Sequence, residues 1–202
     1  MGCGACIGDV MVLSDKSIRD EIECGRIGIS PFNPTDVQPA SVDLHLDDKV
    51  LVFRNSTAPY VDLREDVPNL NEMVEIADDQ PFILHPGEFV LGNTLERITL
   101  NDSIVARLEG KSSLGRIGLL IHSTAGFVDP GWDGTLTLEL SNVSRLPLTL
   151  YKGMPIGQIS FQYLSTPAEN PYGSKALRSR YQGQTEPTSS RAHLDFDQTL
   201  RG

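Results

Sequence analysis

The sequence predicts a mainly β chain, a sandwich or jelly roll of short strands with a single helix near its start. Three observations carry this. Apolar and polar residues alternate over short runs, most clearly where Leu136, Leu138 and Leu140 fall on one face and Thr135, Thr137 and Glu139 on the other. Gly/Pro turns punctuate those runs, as in HPGEF and DPGW. Only one segment carries helix signals at both ends. No internal repeat is visible.

In chain order, Met1–Val10 reads as a disordered extension ahead of a domain over residues 11–165, followed by a tail over 166–202. Ser14 caps the predicted helix, Leu13 and Ile18 form a hydrophobic staple across the cap, and Gly25 stops the helix after Cys24. Gly28 to Pro39, rich in Pro, Asn and Asp, is expected to be a loop, and PASVDLHLDDKVLVF a strand of mixed alternation. Asn55 to Gln80 is a polar insertion without a firm strand signal. Further strands are expected within residues 85–100, 103–109, 135–141, 146–151 and 156–164. The tail from Thr166, rich in Pro, Gly, Ser and Arg, has the composition of a flexible terminus.

A chain of 202 residues is large enough for a real core. Its net charge of −10 makes it a poor general binder of nucleic acid or anionic membrane. A polyphosphate is still accessible to it if a few cations cluster or a divalent metal assists. No apolar run approaches a membrane span and the start lacks a signal-peptide pattern, so a cytoplasmic setting is expected. The 3 cysteines all precede Gly25, which suits a reducing compartment. Cys3 and Cys6 make a lone C-x-x-C, weak as a zinc site.

The densest chemistry lies between Gly110 and Asn142. GKSSLGR offers hydroxyls, backbone N–H groups and the cations Lys111 and Arg116, all suited to phosphate oxygens. It is not a Walker loop, because the earlier glycine of G-x-x-x-x-G-K-[ST] is missing. GFVDPGW carries Asp129, readable as a plain Asp-Pro turn residue or as a site acid. Glu139, on the polar face of its strand, is readable as a solvated carboxylate or as a proton shuttle.

GKSSLGR, HSTAGFVDPGW, TLELSN, PIGQI and PYGSKALRSRYQGQ, in this order and spacing, resemble the dCTP deaminase family, a branch of the trimeric dUTPase fold. The resemblance runs from about Met11 to the region of Ser190. It implies a dUTPase-like distorted jelly roll and deamination of dCTP. Members that also cleave the triphosphate tend to carry Gly and an aromatic after Thr-Ala; Gly126-Phe127 after Thr124-Ala125 is similar to them. The implied product is therefore dUMP, with ammonia and diphosphate, supplying thymidylate synthesis. A deaminase stopping at dUTP and a non-catalytic nucleotide-binding regulator are the alternatives; the presence of Glu139, Ser112 and Arg116 argues against the regulator.

The resemblance also implies residue roles. Glu139 exchanges protons, Ser112 and the Ala125 carbonyl hold the water, and Arg116 sits by the reacting base. Asp129 contacts the deoxyribose 3′-OH and orients the second water. Lys111, Ser113, Leu114, Gly115, Thr137, Leu138, Gln158, Tyr172, Arg180 and Gln184 contact the nucleotide, the last three from a 166–202 tail that the resemblance implies closes partly over it. Arg180 departs from the family's usual Lys, which keeps charge and changes geometry. Arg178 is a further tail cation. Asp43, in ASVDL, supports the phosphate region from behind, and His122 is readable as an orienting or a structural residue. Ala125 and Gly126 mark the second activity, Gly126 through backbone angles closed to other residues. Mg²⁺ is expected to arrive with the triphosphate. The H-x-E and P-C-x-x-C zinc pattern of other deaminases is missing, so no zinc is expected. The implied assembly is a homotrimer with sites between subunits, with dTTP a possible feedback inhibitor.

Overall fold

A computed structural model describes residues 11–53, 60–65, 70–122 and 126–196. Cys3, Cys6 and Ala125 lie outside the described residues, as does the whole 1–10 extension.

Helix α1 is Asp15–Glu23. The Ser14 side chain accepts the Ser17 N–H, and Gly25 ends the helix at φ +70, an angle that costs glycine little. Leu13 and Ile18 are both buried, as the staple requires. Glu21 faces inward too; Arg26, through Nε and Nη2, and the Tyr163 hydroxyl (2.6 Å) donate to its carboxylate. Burial works against the charged carboxylate, but these donors outweigh it and hold Glu21 below the usual range.

The strands follow as β1 Ile27–Ser30, β2 Val37–Gln38, β3 Ser41–His45, β4 Lys49–Phe53, β5 Asn71–Glu75, β6 Phe82–Leu84, β7 Phe89–Leu100 and β8 Ile104–Gly110. A one-turn helix, α2 Ser112–Gly115, leads to β9 Leu119–Leu120, β10 Phe127–Val128, β11 Asp133–Asn142, β12 Leu148–Leu150 and β13 Pro155–Tyr163. One sheet runs β5-β4-β7-β11-β9, with β1 also on β7; the other runs β10-β8-β13-β3-β2; β12 and β6 form a small third. Ladders are antiparallel throughout the described residues. The core lies between the two main sheets. Val90, Ile98, Leu138 and Leu140 meet Leu44, Ile104, Ile159 and Phe161 there, and each such burial contributes about 1.5–3 kcal/mol. Mainly β architecture of the predicted kind is what the chain adopts.

Three expectations need correction. PASVDLHLDDKVLVF is two strands, β3 and β4, placed in different sheets. The break falls at Leu46–Asp48, where Leu46 bridges to Thr94 and Asp47 N–H donates to Asn93 O. The expected loop from Gly28 to Pro39 contains most of β1, all of β2 and a 3-10 turn at Pro34–Asp36. The tail does not dangle: residues 166–196 lie against the body, with Tyr172 tilted on Trp132 at 5.3 Å between ring centres.

Candidate active site

Strand β11 builds the first half of the site. Its register against β7 slips between Thr135 and Thr137, and Leu136 N–H turns to Thr94 Oγ1 at 2.9 Å. Such a bulge leaves backbone groups without ladder partners. The tail supplies them: Thr135 N–H donates to Gln184 O (3.0 Å), and Gln184 Nε2 donates to Thr135 O (2.8 Å) and Thr137 Oγ1 (3.1 Å). Beyond the bulge the alternation resumes. Leu138 and Leu140 are at 0 % exposure, while Thr137 and Glu139 sit half-buried on the opposite face. Glu139 is held by its own N–H on Ile121 O at 2.8 Å. It lines a cavity of about 480 Å³ with Thr137, Gln184, Trp132, Tyr181 and His122, closed on the far side by Phe53, Phe89 and Leu91.

The second half is the turn after β8. The expected Gly/Ser loop is in fact the single helical turn α2, too short to show a period in sequence. Ser112, Ser113, Gly115 and Arg116 are exposed on it, while Leu114 packs partly against the core. Lys111 Nζ is 2.6 Å from Asp43 Oδ2, and Asp43 Oδ1 is buried without a partner among the described residues. Gln158 sits beneath, accepting from Ser41 Oγ (3.1 Å) and donating to Gly110 O (3.4 Å). Lys111, Ser112, Ser113, Gly115 and Gln158 line a second cavity of about 450 Å³. His122 lines both cavities, with Nε2 3.9 Å from Glu109 Oε2.

The remaining predicted residues are placed as follows. Leu138 points its side chain into the core, so its backbone is the part that can meet a ligand. Asp129 is exposed in a turn closed by Trp132 N–H on Asp129 O (3.1 Å). Gly131 in that turn has φ +86, and a Cβ there would lie 2.7 Å from Tyr172 O. Tyr172 OH accepts from Tyr181 N–H at 3.1 Å. Arg180 donates to both carboxylate oxygens of Asp195, through Nη1 at 2.9 Å and through Nη2. Arg178 is exposed. Asp129, Arg116, Tyr172 and Arg180 line neither cavity of the single chain.

Gly126 precedes β10 and lies beside β8. What it supplies is room. Its carbonyl accepts from Leu108 N–H at 2.8 Å, and a Cβ would sit 3.2 Å from Leu108 O and 3.7 Å from His122 Cε1. Sequence reasoning missed Trp132, Phe53 and Phe89 as walls of the Glu139 cavity, and missed the β5 end of the insertion altogether. No local pattern marks them, because they meet Glu139 only across the sheet. Among the described residues no group of three His, Cys, Asp or Glu is disposed to hold a metal, and no helix is long and apolar enough to cross a membrane.

A family model described as dCTP deaminase-like matches residues 12–164. A curated protein named dCTP deaminase, dUMP-forming, from Beutenbergia cavernae is 58% identical over 189 residues, covering 94% of this chain and 98% of that one. Its namesake from Thermobifida fusca is 57% identical over 189 residues, covering 94% and 96%. The one from Rhodococcus jostii is 56% identical over 189 residues, covering 94% and 100%. A solved 2′-deoxycytidine 5′-triphosphate deaminase from Agrobacterium tumefaciens superposes with TM-score 0.60 at 24% identity, covering 77% of this chain. This chain spans 48% of that structure, and the likeness bears on the fold alone. With its family model running through every core strand and relatives this similar along nearly the whole length, the chain belongs to the dCTP deaminase-like family.

Proposed function

We propose that the chain is a dUMP-forming dCTP deaminase: dCTP and two waters yield dUMP, ammonia and diphosphate. The observation that carries this is Glu139. It is a half-buried carboxylate fixed on a strand and facing a chamber walled by Trp132, Phe53 and Phe89, in a chain whose relatives bear that name. Placed against the cytosine ring, Glu139 takes a proton from water as its oxygen bonds to C4. It passes that proton to ring N3, then carries the proton of the new C4 hydroxyl to the amine; C4 becomes a carbonyl as the C–N bond breaks and ammonia leaves. Ser112 and the Ala125 carbonyl hold the water, and Arg116 steadies the base. Thr137, Gln184 and the Leu138 backbone bind the nucleotide from the same side as Glu139.

For the second step, Asp129 contacts the 3′-OH and orients a water at the α-phosphorus; the P–O bond to diphosphate breaks and dUMP remains. Lys111, Ser113, Gly115, Gln158, Tyr172 and Arg180 serve the triphosphate. Asp43 holds Lys111 in place and keeps one oxygen in reserve. The exposed Ser112 and Ser113 hydroxyls suit a phosphate-bound Mg²⁺ that keeps most of its waters and needs few protein ligands, while Lys111 and Arg116 beside them suit the phosphate oxygens themselves. When bound, that ion offsets phosphate charge.

The two cavities support a homotrimer in which each nucleotide spans a seam between copies, one copy giving Glu139 and the next giving α2. A cytoplasmic setting and sensitivity to dTTP belong to the same reading. The test is to incubate the enzyme with dCTP and Mg²⁺ and separate the products. Formation of dUMP and diphosphate without free dUTP is expected; dUTP as the end product overturns the reading in favour of a deaminase alone.

A further inference from the structure

The tail crosses the outer face of the first sheet as a strap, and polar contacts fasten it to each strand in turn. Gln184 binds β11 at Thr135 and Thr137. Asn93 Nδ2 on β7 donates to Thr185 O at 3.3 Å. Lys49 on β4 pairs with Glu186. Asn71 Nδ2 on β5 donates to Ser189 Oγ at 2.8 Å. Successive tail residues thus meet β11, β7, β4 and β5 in the order those strands take in the sheet.

Asn93 shows the strap's effect most clearly. It alternates with the core-facing Val90, Gly92 and Thr94, so it belongs to the outer face, yet its exposure is 0 %. It stands opposite Thr137 in the β7–β11 register. Its Oδ1 is buried without a partner among the described residues, so its polar contribution rests on the N–H it gives to Thr185. Past Thr185, the strap's Thr188, Ser189 and Ala192 form a wall of the Glu139 cavity.

We propose that Asn93 and Asn71, with a smaller contribution from Lys49, are positioning residues for the reaction: they hold the strap so that Gln184 and the 188–192 wall stand at fixed places beside Glu139. The strap itself lies beyond residue 164, outside the region the family model covers, while the groups that fasten it lie within that region. The proposal rests on the reading that Gln184 contacts the nucleotide. The exposed Lys49–Glu186 pair adds least, because solvent screens it.

The test is steady-state kinetics of the full-length enzyme on dCTP with Mg²⁺, together with trypsin cleavage after Arg178, Arg180 and Arg191. Asn93→Ala is expected to raise KM about five- to tenfold, the effect of one net hydrogen bond, with kcat within about twofold. Asn71→Ala, at a sheet edge where folding is less at stake, should raise KM in the same direction, and both should speed tail cleavage. A purely structural role would lower the folded fraction and kcat at constant KM, and that result overturns the proposal. Gln184→Ala is measured alongside. If it raises KM while Asn93→Ala and Asn71→Ala do not, the strap proposal falls and the reading of Gln184 survives. If Gln184→Ala also leaves KM unchanged, that reading falls and the proposal with it.

Discussion

The surface around Glu139 and the surface around α2 are built on opposite principles. At Glu139 the backbone is fully committed. Glu139 N–H goes to Ile121, Leu136 N–H to Thr94, and the bulged Thr135 exchanges bonds with Gln184 in both directions. At α2 the useful groups face outward: Ser112, Ser113 and Arg116 are exposed, and Lys111 is paired with Asp43. The difference follows the chemistry each half is assigned. Proton transfer needs one atom at one place, which a strand ladder and a packed strap provide. Phosphates are flexible and strongly charged, and a short turn of hydroxyls and cations can adapt to them.

The largest expected effect strikes the rigid half. Glu139→Gln keeps size and hydrogen bonding but cannot shuttle a proton, so deamination should fall by about 10²–10⁴-fold while nucleotide affinity is kept. Calorimetric titration with dCTP beside a rate measurement checks this; near-normal turnover would remove Glu139 from its role.

A smaller and more selective effect is expected where the halves meet. A Cβ at Gly126 would press on the Leu108 carbonyl at 3.2 Å and sit in ordinary contact with His122 at 3.7 Å, so a large side chain there has to find room between the two. Gly126→His should therefore shift the turn carrying Asp129 and slow diphosphate release more than deamination, so that dUTP accumulates. Chromatography of parent and variant reactions reads this directly. Equal dUMP rates from both would mean that Gly126 does not govern the second step.

The smallest effect belongs to a third region that touches neither half. Tyr163→Phe removes one donor to the buried Glu21 and should cost about 1.5 kcal/mol of stability with kcat unaltered. Glu21 is held below its ordinary 4.5, so its contribution is complete above that pH and lost as pH falls through the lower folded value. The melting-temperature gap between parent and variant should accordingly be widest near neutrality and narrow in acid. A gap that stays constant into acid would mean the hydroxyl does not act through the carboxylate.

Much of this was legible in sequence where the cause is local. The Leu136–Leu138–Leu140 alternation correctly put Glu139 on the face away from the core, and Ser14 with Gly25 bounded the helix. Legibility failed where the partner is distant. β5, reading NEMVE, is mostly exposed at a sheet edge and shows no alternation; it is a strand because β4 pairs with it. The tail looked flexible by composition because its bonds are to Asn93, Asn71 and the irregular stretch of β11 around Thr135, none of which its own composition announces. The crowding of Gly126 against Leu108 is likewise a property of the fold and leaves no mark in the chain.

The central claim is that one nucleotide is worked on by both surfaces, supplied by different copies of the chain. Glu139→Gln and Ser112→Ala are each expected to be nearly inactive alone. Co-refolded in equal amounts, they should regain on the order of a quarter of parental dCTP turnover, because random mixing in a symmetric oligomer pairs an intact Glu139 with an intact Ser112 at that frequency. A mixture no more active than its components would contradict the claim.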